Sequence, residues 1–373
     1  MSRSLFVMLV VGVSAPLVSA GVYSPDDPCP FAIKPNGTAE PLPLKQFQIL
    51  YADSFAGLVT IDPINPGTFD WYQAENGQSW RVGPAGRFSQ RLAARWPNRD
   101  ELTGTDLAGY TADLLRLGGT AQTIQRLQPE LRSRRPNYLL LANLAHAYAT
   151  ANDWDTALVR FSDVIDSDPP TILPGTSIEQ LKWQTSVDRK YYRQWLRLRK
   201  EEAVKKPPVE KQEPDAMFTT TDGKPIRFWE SEVEAAKLPP DALAAAQQLA
   251  LWAPGDVKLL WLVAELYLAK GEVRAADAVF YQCSNARKFG GPVLFRDHAA
   301  TARDAVAKMP QPKEVPLAMP DEPATSPTST EEPGIFGLVD QRTFYIVVGI
   351  FALAAVALIG LQLRTIAKRL TRR

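Results

Sequence analysis

The chain has 373 residues, 45% hydrophobic and 22% charged, which is apolar material enough for a core and length enough for two or three domains. A formal net charge of +1 at pH 7 argues against a general binder of polyanions, so no nucleic-acid partner is expected. Two cysteines exclude a disulfide scaffold, and the 31 prolines mark, where they cluster, segments that pack little.

Residues 1–20 read as a secretory signal peptide: Arg3 supplies a basic start, Leu5 to Val13 an apolar run, Pro16 a helix stop, and Val18-Ser19-Ala20 a small-residue cleavage pattern. Cys29 is too far along for lipid attachment at that cleavage point. Residues 21–85 are rich in Pro and Gly and predict an irregular region with one short helix, Leu44 to Phe55. Within it, Phe69, Trp71, Trp80 and Val82 alternate about Asn76-Gly77, the strongest dipeptide signal for a hairpin. Trp71 and Trp80 fit a satellite cluster against neighbouring helices better than a stacking surface for a sugar. Asn36-Gly37-Thr38 is a glycosylation sequon, meaningful in a eukaryotic source.

Helical spacing starts near Arg87 and fills residues 86–171. Leu107, Tyr110, Leu114 and Leu117 keep one face, Gly118-Gly119 breaks it, and Ile124, Leu127 and Leu131 resume it. Leu141, Leu144, Ala145 and Tyr148 follow, then a break at Asn152-Asp153, then Ala157, Phe161 and Pro169. Small Ala145 and Ala157 fall where two antiparallel helices approach, with Leu144, Tyr148 and Phe161 filling the gap. Segments starting near Gly104 and Tyr138 lie 34 residues apart.

Residues 172–222 predict a long helix, capped by Thr176 or Ser177 and running to about Ala203, then a Pro/Lys/Glu linker from Lys205 to Pro214. Trp183, Val187, Tyr191, Trp195 and Leu198 form its packing stripe, and Arg189, Arg193, Arg197 and Lys200 a solvated face opposite. In residues 223–308 the earlier spacing returns. Ala242, Ala246 and Pro254 repeat the intervals of Ala157, Phe161 and Pro169. Leu260, Val263, Ala264 and Tyr267 then precede Gly271, Ala276 and Phe280, and a last helix from Val293 to Ala307 caps the array. Residues 309–341 have the Pro, Glu, Ser and Thr content of a disordered tether. In residues 342–364, the uncharged run Thr343 to Leu363 would reach roughly 31 Å as a helix, enough to cross a bilayer core. Residues 365–373, basic through Lys368, Arg369, Arg372 and Arg373, place the tail in the cytoplasm and the bulk of the chain outside it.

These repeated residues resemble the tetratricopeptide (TPR) family over about 170 residues, departing from it at Leu141, where Trp is usual, and at Ala145, where Gly is usual. The resemblance implies an all-α fold: a TPR-like α-solenoid of helix pairs with a long inserted helix, an irregular amino-terminal region and one carboxy-terminal membrane helix. It also implies a protein or peptide partner on a concave surface, which here would present Leu139, Ala142, Asn143 and His146 from one repeat and Lys258, Trp261 and Glu265 from another. Trp261 reads equally well as an anchor for that partner and as a residue packed on the preceding helix.

No catalytic constellation accompanies this architecture. The two histidines, His146 and His298, stand outside any metal-ligand spacing, and Asp297-His298 lacks a nucleophile motif, so no catalytic residue, metal or cofactor is expected. No phosphate-binding Gly loop is present. Cys283 reads as an inert core thiol, and its pairing with Cys29 stays open. The expected function is a non-enzymatic interaction scaffold or assembly factor held outside the cytoplasm on a single-pass anchor. Two alternatives remain: a structural subunit recognised through its span, and an envelope glycan-binding protein or enzyme using Asp70 and Glu75 of the Trp-containing region.

Overall fold

A computed structural model describes residues 23–59, 84–132 and 137–310. The expected signal peptide, the expected hairpin about Asn76-Gly77, the expected tether from residue 311 and the expected Thr343–Leu363 span with its basic tail lie outside the described residues. No described helix is long and apolar enough to cross a membrane.

The described residues are all-α. They contain thirteen α-helices and, in place of strands, three isolated bridges, Ile33 to Ala39, Leu173 to Thr176 and Thr219 to Pro225. Helix α1 (Leu44–Val59) starts where the sequence places it, and α2 (Pro84–Arg95) packs on it. Next come α3 (Gly104–Arg116) with α4 (Thr120–Leu127), and α5 (Tyr138–Thr150) with α6 (Trp154–Asp166). A long rod consists of α7 (Ile178–Val187), a π-helical turn over Asp188–Tyr192, and α8 (Arg193–Lys205). After an irregular segment holding the one-turn helix α9 (Glu232–Ala235) come α10 (Ala242–Trp252), α11 (Val257–Ala269), α12 (Val273–Tyr281) and α13 (Val293–Lys308).

Local chemistry explains why the helices fold back on one another. Asn137, Asp153 and Asp256 cap α5, α6 and α11 by accepting backbone N–H groups, and Ser177 with Gln180 forms a reciprocal capping box at α7. The turns after α3, α5 and α11 share one closed geometry, with Gly118, Asn152 and Gly271 at φ of 79°, 60° and 74°. In each, the next N–H reaches back to a carbonyl five residues earlier: Gly119 to Leu114, Asp153 to Tyr148, and Glu272 to Tyr267. This six-to-one closure needs a left-handed residue, which glycine and asparagine supply.

The small residues that let paired helices approach, Ala145 with Ala157 and Ala264 with Ala276, are fully buried, as are Phe161 and Phe280. In the weaker repeat the equivalent places are taken by Thr111 and Thr123. Burial of these hydroxyls is tolerated because each donates to a carbonyl four residues back, Leu107 and Gly119. One hydrophobic cluster, from Tyr23 to Ala302, runs through both helical blocks.

The rod joins the blocks. Tyr192 on its π-turn meets His146 at 4.1 Å between ring centroids, Phe161 at 5.3 Å and Trp252 at 6.2 Å. Trp195 packs edge-on against Trp154 and donates its indole N–H to Asp256 at 2.7 Å. Arg199 lies among three carboxylates, pairing with Asp215, with Glu202 at 2.7 Å and with Asp256 at 3.6 Å. Both cysteines are buried and free.

Candidate functional site

Residues 23–43 carry no helix; they run as a strap with turns at Ser24–Asp27 and Lys34–Gly37, in contact with residues of both helical blocks. Their grip is mostly amide to main chain. The Asn143 side-chain amide donates to the Tyr23 carbonyl at 3.4 Å, and the Gln180 amide donates to the carbonyls of Cys29 at 3.1 Å and Phe31 at 2.9 Å. Gln247 holds Leu42 at both ends, accepting its N–H at 2.8 Å and donating to its carbonyl at 3.1 Å. Thr176 accepts the Cys29 N–H at 3.3 Å. Such contacts read the backbone of a polypeptide rather than its sequence.

Side chains fix the register. Tyr23 is buried between Tyr138 and Trp252, at 5.6 and 5.7 Å, and Phe31 against Trp183 at 4.9 Å. Asp26 and Asp27 enter a cluster of arginines from α2 and α3. Arg91 forks onto both Asp27 oxygens at 2.9 Å, Arg95 pairs with Asp26 at 2.7 Å, and Arg116 pairs with Asp27. Beneath them Asp113 is fully buried, 2.6 Å from Arg91 and 3.3 Å from Arg95. Burial pushes the Asp113 carboxyl up to about 6, against the pull of the guanidinium groups.

The seven residues expected on an open concave surface are all buried, and this corrects the expectation that they face a free groove. In the first block the strap and the rod cover that face. Leu139 and Ala142 lie in the core, Asn143 grips the strap, and His146 stacks on Tyr192. In the second block Lys258 pairs with Glu202 of α8 at 2.5 Å. Trp261 packs on Phe295 of α13 and donates to Glu265 at 2.6 Å. Glu265 also accepts from His298 Nδ1, whose pKa that carboxylate raises. His298 is thus partnered with Glu265 on another helix rather than with its neighbour Asp297.

Where strap, rod and α5 meet, the Tyr23 and Tyr138 hydroxyls face the buried Asp188 carboxyl, and the Tyr192 hydroxyl, Asn143 Oδ1 and both His146 nitrogens are buried beside them. Burial lowers His146 to about 3, so its ring is neutral. Asp188 accepts from the Tyr138 hydroxyl at 3.2 Å, and desolvation, only partly offset by the Tyr23 and Tyr138 hydroxyls and Arg189, lifts its carboxyl to about 7. Among the described residues no group of side chains is placed to hold a metal.

The Asp188 shift gives a signed prediction. A carboxyl with a raised folded pKa favours folding most when protonated, and that advantage is lost as pH climbs from the unfolded value near 4 to the folded value of about 7. Asp188→Asn should therefore match the parent in urea unfolding near pH 4.5 and exceed it by about 2–4 kcal/mol at pH 8. A difference independent of pH would show that Asp188 is not ionising in this interior.

Several residues of this site had little or no signal in the sequence. Gln180 was findable as the third residue of a capping box after Ser177. Gln247 and Gln248 interrupt an alanine-rich helix, a polar pair on a buried face. Asp188 and Tyr192 were hidden, because the π-turn rotates them inward from the side that an unbroken α-helix would give them. No family model matches the chain, and comparison with curated proteins and with solved structures likewise finds no match.

Proposed function

We propose that the chain is a TPR-like α-solenoid acting as a non-enzymatic interaction scaffold or assembly factor. In this reading the signal peptide exports it, the Thr343–Leu363 span anchors it, and the inner face of its helix pairs holds an extended polypeptide. One observation carries the proposal: helices α5, α7 and α10 already hold a non-helical polypeptide segment, the chain's own residues 23–42, in part by side-chain amides on main-chain carbonyls. The three equivalent helix turns and the 34-residue offset between Gly118 and Asn152 support the repeat reading.

The exposed Asn36-Gly37 turn offers a test. Residues 34–37 are exposed, so a protease site inserted between Asn36 and Gly37, with Gly37 kept for its φ of 80°, should leave the helical body of the detergent-solubilised full chain intact. After cutting, a labelled peptide of residues 23–36 should exchange into the chain saturably. Gln180→Leu, which removes two carbonyl contacts, should weaken it about tenfold. A cut chain that keeps its helical circular dichroism yet takes up no peptide would reject the scaffold reading of this face.

A further inference from the structure

We infer that α13 is a pH-sensitive lid on the second helical block, latched to α11 by His298 on Glu265 and loosened when that pair gives up its proton. Under the lid lies Trp261, the aromatic residue of α11 that the repeat pattern assigns to the inner face.

The buried face of α13 is small. Of the residues it spans, Phe295, Ala299 and Ala302 are buried, and Phe295 alone among them is large. Its ring stands edge-on to Trp261 of α11 at 5.7 Å, to Phe280 of α12 at 5.5 Å and to Phe289 of the preceding loop at 5.0 Å. Arg303 reaches Asp277 of α12 only at 4.0 Å and is 65% exposed, so that pair contributes little. Beyond the helix end, Arg274 donates to the exposed Pro310 carbonyl at 2.7 Å. A single strong polar contact therefore carries a large share of the docking.

His298 supplies it. Its Nδ1 lies 2.8 and 3.0 Å from the two oxygens of Glu265, whose side chain is 1% exposed. Trp261 donates to the same carboxylate at 2.6 Å, which ties the latch to the residue it covers. Among the described residues no lysine or arginine pairs with Glu265, so the imidazolium is its counter-charge. When the ring loses its second proton, the Nδ1–H tautomer still donates, but a buried carboxylate then stands without a cation.

The surrounding charges set the direction. The hydrogen bond to Glu265 raises the His298 pKa, burial opposes it, and the charges of Glu265 and of Asp297 on α13 itself add to the rise. From α12 the nearby carboxylate, Asp277, is turned to Arg303. The turn after α12 brings Cys283, whose thiol burial keeps protonated and which feels both Arg287 and Glu265. A folded pKa above the unfolded value near 6.5 leaves the latch fully engaged below that value, and its contribution is lost as pH climbs through the folded pKa. His146 stays out of this range, since burial lowers it to about 3.

Two measurements on the detergent-solubilised full chain test the lid. With carbon-13 histidine the two rings of the chain give two signals. The signal absent from His298→Gln should titrate with a midpoint above about 6.5, while the other stays fixed between pH 5.5 and pH 9. Amide hydrogen exchange, corrected for its intrinsic pH dependence, should show protection of residues 293–308 falling at least about fivefold from pH 6 to pH 9, with α6 changing less than about twofold. In His298→Gln and Glu265→Gln, α13 should be less protected at pH 6 and change less than about twofold with pH. Trp261→Phe, which removes the indole N–H and neither charge, should keep the pH dependence, and it serves if Glu265→Gln does not fold. A His298 midpoint at or below about 6.5 would overturn the lid, as would α13 protection in the parent chain that is equal at both pH values. An equal fall across all helices, or a fall in α13 that persists in His298→Gln, would overturn it too, the first as general destabilisation and the second as titration elsewhere.

Discussion

Replacing Trp195 with alanine should lower the unfolding free energy of the chain ending at Pro310 by about 3–5 kcal/mol. The indole is 1% exposed and bridges three separate elements. It stands edge-on to Trp154 of α6 at 5.8 Å, lies against Tyr192 of the π-turn at 5.1 Å, and bonds Asp256 at the start of α11 at 2.7 Å. Alanine leaves a cavity at a place where both helical blocks lean on the rod, and it strips a donor from a buried carboxylate. Trp195→Phe, which refills most of the space and lacks the N–H, should fall between, at about 1–2 kcal/mol. Urea unfolding followed by helical circular dichroism reads both. A loss below 1 kcal/mol for alanine would mean that the rod does not clamp the blocks.

Arg199→Leu should be comparably damaging for an electrostatic reason. Its side chain is 10% exposed and answers Asp215, Glu202 and Asp256, while Lys258 pairs with Glu202 and adds a weaker attraction to Asp215. Removing one partner of a buried ionic group costs about 3–5 kcal/mol, because the remaining charges have lost their solvent as well as their counter-ion. Burial already raises the Asp215 carboxyl despite Arg199, so removing the guanidinium pushes it further up. The variant should recover stability as pH falls and the carboxyl protonates, and Arg199→Leu with Asp215→Leu should restore much of the loss at pH 7. Thermal melts at pH 5 and pH 7.5 decide this. An equal deficit at both pH values, unrelieved by the double substitution, would show that Arg199 acts through packing alone.

Much of the helical scaffold was legible because its signals are local. Ala145 with Ala157 and Ala264 with Ala276 announce close helix approaches. Asn152 and Gly271 announce left-handed turns, and Ser177 announces a cap. The start of α1 at Leu44 and the span of α13 follow from spacing and proline placement. The inner face was not legible, for a physical reason. A TPR-like pattern specifies which residues line a groove but carries no information on what fills it. Here the filling comes from residues 23–42, whose composition reads as irregular, and from a rod whose π-turn moves the packing register by one position. That is why Asn143 was identified as a groove residue while its partner, the Tyr23 carbonyl, was not. Lys258, Trp261 and Glu265 were placed on the right helix, α11, yet its neighbours α8 and α13 cover them.

The strap's position in the chain sets an order on the folding of the whole body. Leu42 finds Gln247 across 205 residues, and Tyr51 finds the Pro254 carbonyl across 203. These contacts are among the most non-local in the molecule, and closing loops of such length is slow compared with forming a helix pair. On a chain made from its amino terminus, Tyr23 through Leu42 emerge before the helices they contact, and Leu42 waits until α10 exists before Gln247 can hold it. Helix pairs such as α5 with α6 can form early from contacts between neighbours in sequence, whereas Leu42 and Tyr51 dock late although they precede those pairs in the chain. Until that docking is complete, the rings that residues 23–42 cover, Tyr138, Trp183 and Trp252 among them, lack that cover.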